Sequence, residues 1–398
     1  RLDHLLDPTR IYKLKTSDFE RINPNTKTCP VFRTSQDAML TTQIYRQCKV
    51  LINDATRENI WHIKFARMFD MSNDSHLFYT YSQLVDKGAK LEGNKFLLNN
   101  QFYVPLYEGK MIWHYNHHFG TINEGTKEKP ARQMAMPTSD ELKNPNHNIM
   151  PWYWIPKEDM DNRLIKTDAK GNIIWEWSHK WLIGFRDITN ATHDRTFVIS
   201  LIPDACGVGN SATLLFVERG TMPGALLLGM MSSLVFDYAT RQKIGGSHAS
   251  ISFVKQFPVL TPEQVSSSGY EQDIVERVAR LCWFNHDLDG WMEELREECP
   301  EEYDLPEEPV IWDEEQRTVW QAELDAIFAH LYGLTTEDLR YILDPEDVCG
   351  KGCINETFRV LKERELRELG EYRTKRLVME AWNKFEFDNK LKMLCYEK

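Results

Sequence analysis

Along the chain, apolar residues follow two different rhythms. Up to about residue 260 they form short β-branched and aromatic runs separated by polar turns. KWLIGFRDI (180–188), RTFVISLIP (195–203) and SATLLFVE (211–218) arrive in close order and predict three strands of a small mixed or antiparallel sheet. QFYVPLYEGKMIWHYNHHF (101–119) reads as a β-hairpin about its Glu-Gly-Lys turn, and ISFVKQFPVL (251–260) as one further strand. SQDAMLTTQIYRQC (35–48) opens on a capping-type Ser and reads as a short amphipathic helix. Pro223 sits in a first helical turn, starting ALLLGMMSSLVFDYATRQK, and Gly245-Gly246 ends that helix. The four prolines between Asn123 and Pro151 mark a long surface loop.

Beyond Pro262 the spacing becomes helical: EQDIVERVARLCWFNHDLDGWMEELREE, EEQRTVWQAELDAIFAHLYGL and NETFRVLKERELRELGEYRTKRLVMEAW, with CPEEYDLPEEP (299–309) as a Pro-broken connection. The expected class is α+β: a small mixed or antiparallel sheet domain with helices, followed by a mostly α-helical C-terminal module. Boundaries fall near 179 and 262, giving segments 1–179, 180–262 and 263–398. The most apolar stretch, Met222 to Phe236, is cut by Gly224, Gly229, Ser232 and Ser233, so a buried amphipathic helix is expected and no membrane span.

Charge sharpens this division. The 398 residues carry 48 Lys plus Arg and 60 Asp plus Glu, a net −12 that would oppose a nucleic-acid partner if evenly spread. It is not evenly spread. Residues 1–250 hold 30 basic and 26 acidic side chains (+4), residues 251–350 hold 6 and 25 (−19), and residues 351–398 hold 12 and 9 (+3). Ten of twelve histidines precede residue 251, so a mildly basic, His- and aromatic-rich body is joined to an acidic helical module. The eight cysteines lack framework spacing, and RLDHLLDPTR has no apolar signal core, which together predict reduced thiols and a cytoplasmic location.

Several constellations offer chemistry. DACGVGNSA (204–212) scans as an S-adenosylmethionine loop, but such a loop needs a helix directly after it, and SATLLFVE reads as a strand. Glu108-Gly-Lys110, with Asp86, has the residue types of a Mg²⁺-dependent nuclease, against the plainer reading of a turn. His114, His117 and His118, and separately Cys349 with Cys353, could ligate metal; neither has paired zinc spacing, so no metal is expected. There is no Gly-x-Ser-x-Gly elbow, Walker loop or His-Glu-x-x-His, and no catalytic residue is assigned.

GFRDITNATHDRT (184–196) and RQKIGGSHAS (241–250) place Arg186, Asn190, His193, Arg195, Arg241, Lys243, Gly245, Gly246, Ser247 and His248 on turns at strand or helix ends. Arg suits guanine edges and phosphate, Asn suits adenine, and Gly-Ser amides suit phosphate oxygens. The alternative is structural: Arg186 and Arg195 would satisfy Asp187 and Asp194, and Gly245-Gly246 would only cap a helix.

At these residues the chain resembles the C-terminal, non-catalytic portion of large adenine-specific DNA methyltransferases of the Eco57I-like and type IIG restriction-modification group, found also in bacterial phage-defence systems. The strings that carry the resemblance are RINPNTKTCPVFRTSQDAMLTTQIYR (21–46), PLYEGKMIWHYNHHFGT (105–121), IGFRDITNATHDRTFVISLIP (183–203), SSLVFDYATRQKIGGSHASISFVKQFPVLTPEQ (232–264), AELDAIFAHLYGLTTEDLRYILD (322–344) and ETFRVLKERELRELGEYRTKRLVMEAW (356–382). The similarity spans nearly the whole chain in order, with residues 180–262 similar to a TaqI-like target-recognition domain and 1–179 to a linker and the start of the specificity region. Asn116-His117-His118 departs from it, since relatives often show Asp-His-Arg.

The resemblance implies double-stranded DNA as partner and S-adenosylmethionine as cofactor of the parent enzyme, with none held by this chain. The Asn/Asp-Pro-Pro-aromatic motif that holds a flipped adenine is missing: Asp7-Pro8-Thr9 and Asn23-Pro24-Asn25 lack the second Pro and the ring. With no initiator Met, the expectation is that a methyltransferase domain precedes residue 1 and that the acidic helices dock on it or on other defence subunits. Two other classes stay open, a protein-interaction module of a defence complex without DNA contact and the Glu108/Lys110 nuclease.

Overall fold

The computed structural model describes residues 6–123, 133–190, 193–353 and 357–396, with side chains to residue 386. A four-stranded antiparallel sheet lies at its centre, in the order Ile199–Pro203, Trp181–Arg186, Ala212–Val217, Ile63–Ala66. Three of these strands are the runs read from the sequence. They are mostly apolar because both faces are covered, and every residue of Ile199–Pro203 and Ala212–Val217, Ser200 and Thr213 included, is buried. The fourth strand comes from far upstream, with Ile63 opposite Val217 and Ala66 opposite Leu214.

A second sheet is mixed. Gln101–Tyr107 pairs antiparallel with Lys95–Leu98 and with Trp154–Pro156, and parallel with the two-residue strand Gly207–Val208. The chain therefore leaves the first sheet at Pro203, adds one short strand to the second, and returns at Ala212. Gly207 permits that crossing, since a Cβ there would stand 2.2 Å from Ile155 Cδ1 and 3.1 Å from Phe69.

Helix Thr221–Ser232 packs on the first sheet and against helices Glu271–Cys282 and Asp289–Glu298. Farther on, Glu314–Leu331 packs along Arg373–Tyr396, so the C-terminal region is helical as expected and the class is α+β. One core cluster runs from Leu40 through the sheet residues to Phe385, joining side chains from all three sequence segments.

Several local expectations are corrected. The helix after Pro223 is two, Thr221–Ser232 and Leu234–Arg241, bent by 61° at Ser233, whose hydroxyl accepts from the Phe236 amide. The first of them is buried on nearly every face and so is not amphipathic. Among the described residues no single helix is long and apolar enough to cross a membrane. Residues 251–260 are not one strand: Ser250 leads helix Ile251–Val254, and only Pro258–Val259 is extended, pairing with Lys49–Val50. Residues 101–119 are not a hairpin. After Gln101–Tyr107 comes a 3₁₀ turn, Gly109–Met111, because Met111 and Ile112 turn inward and Gly109 lies against the Ser211 carbonyl. The loop expected over 123–151 holds a strand, Gln133–Ala135, paired with Thr121–Asn123, and a short helix, Ser139–Lys143, closed by a Thr138/Glu141 capping box; its residues 124–132 lie outside the described residues. The last helical run starts at Arg359 and breaks at Gly370, and its first residues, 355 and 356, also lie outside them.

Candidate nucleic-acid interface

The two turns singled out in the sequence are brought side by side. Ile188 and His248 form an antiparallel bridge, the Thr189 amide donates to the Ser247 carbonyl (3.0 Å), and the Ala249 amide donates to the Asp187 carbonyl (2.7 Å). His248 Nδ1 lies 2.8 Å from Asp187 Oδ2, which fixes the ring at the edge while 59% of its side chain stays exposed. Asn190, His193, Gly245, Gly246 and Ser247 are also exposed. No atom would lie within 4 Å of a Cβ at Gly245 or Gly246. Ile188, 62% exposed, projects from the same edge, and Arg67 stands 3.9 Å from Asp187.

Beneath this edge the remaining cations are engaged inside the fold. Asp237, fully buried, accepts from Arg195 Nε and Arg241 Nε at 2.8 Å each and from the Thr196 amide. Arg195 also donates to the Ser232 carbonyl. Arg241 donates to the carbonyls of His193, Asp194 and Thr357, so it ties the 193–194 turn to the C-terminal helices. Lys243 donates to the carbonyls of Ile22 and Gln256, and burial pushes its pKa well below the usual lysine range. Arg186 donates to the carbonyls of Gly109 and Ile112, and burial lowers it to about 10, still cationic at neutral pH.

The expected pairing of Arg186 with Asp187 and of Arg195 with Asp194 is thus replaced by other partners: Asp187 holds His248, and Asp194 pairs with Arg364. Lys243, Arg195 and Arg241 brace the turns from behind, whereas His193, Ser247, His248 and the two glycines form their outer surface.

Next to the edge lies a cleft of about 280 Å³ lined by Trp113, Arg186, Ile188, Thr189 and His193. Trp113 stacks on Phe119 (centroids 5.1 Å, 22°), and the Arg186 guanidinium lies over both rings at 4.8 and 5.2 Å. Through Trp113, Asp194 and Arg195 it adjoins a larger cleft of about 840 Å³ bounded by His118, Arg317, Arg364 and Arg373. An aromatic pair capped by a guanidinium suits stacking on a base. Ile188, Trp113, Phe119 and Arg67 were not singled out from sequence; the Trp-x₅-Phe spacing within 113–119 was the available signal.

The other constellations fare differently. Gly207–Val208 is a strand followed by strand Ala212–Val217, so 204–212 has no cofactor-loop helix; Asp204 and Cys206 instead line a cavity of about 310 Å³. Glu108 and Lys110 pair with each other (3.1 Å), and Asp86 ends a helix, Tyr81–Asp86. Cys349 is exposed, its thiol raised to about 11 by burial first and then by Cys353; both are free thiols. His114 is buried apart from its neighbours' cluster, its basicity depressed by burial and then by Arg195 and Arg186. Among the described residues, the one group of His, Cys, Asp or Glu side chains with ligand spacing is His117, His118 and Asp287, their candidate ligand atoms within 4.8 Å of one another.

No protein-family model matches the chain, and no curated protein matches it either.

Proposed function

We propose that this chain recognises a double-stranded DNA target for an S-adenosylmethionine-dependent adenine-N6 methyltransferase of a restriction-modification or phage-defence system. Methyl transfer falls to a domain bearing the Asn/Asp-Pro-Pro-aromatic motif that these 398 residues do not contain. The observation that carries the reading is the joining of residues 187–189 to 247–249 in one edge, with exposed imidazoles, hydroxyl, open glycine backbone and a projecting Ile188 beside it. Such an edge presents hydrogen-bonding groups to base edges and phosphates, while the cations behind it hold its shape. Trp113, Phe119 and Arg186 add a stacking surface beside it. The acidic helices, with −19 over residues 251–350, are a poor DNA face and suit docking on the methyltransferase domain.

Fluorescence anisotropy with a labelled duplex tests this. Binding is expected to weaken as salt rises, and Arg67→Ala is expected to reduce the log–log salt slope by about 1. His193→Ala combined with Ser247→Ala should weaken binding several-fold at unchanged melting temperature. Failure to bind duplex at low salt, or equal binding by both variants, overturns the proposal.

A further inference from the structure

Residues 116–118 and 285–287 are 169 positions apart between His118 and Asp287, yet they meet in a polar knot. His118 Nε2 lies 2.9 Å from Asp287 Oδ2, and the His117 and His118 rings stand 4.3 Å apart. Both histidines are buried, and among the described residues His117 Nε2 has no hydrogen-bond partner. A buried ring nitrogen is ordinarily satisfied, so His117 Nε2, left open beside the His118–Asp287 pair, calls for an explanation. We propose that His117, His118 and Asp287 form a binding site for one divalent transition-metal ion of the Zn²⁺ class.

Two imidazoles and one carboxylate match the borderline ligand preference of Zn²⁺, and three protein ligands leave one coordination position for water. Asparagine side chains hold both ends of the knot through backbone amides. Asn116 Oδ1 accepts from the His118 amide at 2.8 Å, and Asn285 Oδ1 accepts from the Asp287 amide at 2.9 Å. Phe284 packs on both imidazoles, at 4.8 and 5.6 Å, and shields that side from water. The Arg317 guanidinium lies 5.4 Å from the Phe284 ring centroid. Arg317 is itself held by the carbonyls of Leu281 and Tyr115. The ion has a way in: Asp287 forms part of the wall of the 310 Å³ cavity and His118 part of the 840 Å³ cleft. Bound there, it would bolt the 116–118 turn to the head of the acidic helical module, a role independent of DNA recognition.

The experiment uses the untagged chain, stripped with a chelator, dialysed, and titrated with Zn²⁺ and separately with Co²⁺. One equivalent is expected to bind, with visible ligand-field bands for Co²⁺ and a melting temperature raised by several degrees. In Asp287→Asn, whose amide oxygen preserves the contact to His118, affinity should fall roughly tenfold or more while the metal-free melting temperature is kept. His118→Gln should lose the bands, and His76→Ala, an exposed imidazole elsewhere, should keep them. No stoichiometric uptake, or equal uptake by Asp287→Asn and His118→Gln, overturns the proposal.

Discussion

Replacing Asp237 by Ala would leave two guanidiniums, those of Arg195 and Arg241, without their shared carboxylate in the interior. Removing one partner of a buried ion pair costs about 3–5 kcal/mol, so Asp237→Ala is expected to lower stability by that order in urea denaturation. Asp325 tells a second residue-scale story. Its buried carboxyl accepts from the Leu234 amide at the head of the second half of the bent helix, and burial raises its pKa to about 7, against the pull of Arg195. Because the folded pKa exceeds the unfolded value of about 4, the folded chain holds an extra proton between these limits. This group's stabilising contribution is fully present below pH 4 and is lost as pH rises to about 7. The stability difference between the parent and Asp325→Asn should therefore shift in favour of the variant across that window, and stop shifting above it.

At the scale of elements, what the sequence discloses depends on where the determinants lie. The strands at 181–186, 199–203 and 212–217 are legible because strands buried on both faces leave mostly apolar runs without polar alternation. Their partner Ile63–Ala66 is illegible, since it is four residues long with only Ile63 fully buried and its pairing is long-range. Residues 251–260 mislead because Val254 and Phe257 are buried at a spacing of three, which a run rich in β-branched and aromatic residues conceals. The candidate edge was half legible: its turns stand out by composition and Arg241 follows Asp237 by four residues on one helix, but nothing local reveals that Arg195 and Lys243 point inward to Asp237 and distant carbonyls. Likewise His117 and His118 are visible as neighbours, whereas Asp287 joins them only through the fold.

For the whole molecule, the continuity of the core matters more than the change of rhythm at Pro262. Segment 180–262 takes its fourth strand from Ile63–Ala66 and packs helix Thr221–Ser232 on Glu271–Cys282. A chain ending at residue 262 would expose that helix and is expected to be insoluble or molten, and the full chain should unfold in a single cooperative transition by calorimetry. Two separated transitions would contradict the shared core.

The open glycines at 245 and 246 have a consequence for how such a molecule changes over time. The edge is held from behind by Asp237 through Arg195 and Arg241, and along its backbone by the bridge between Ile188 and His248. A Cβ at 245 or 246 would meet no atom within 4 Å, and residues 247 and 248 are already exposed. The chemistry displayed at this edge can then drift through single substitutions while the bracing stays fixed, so new preferences need not be purchased with lost stability.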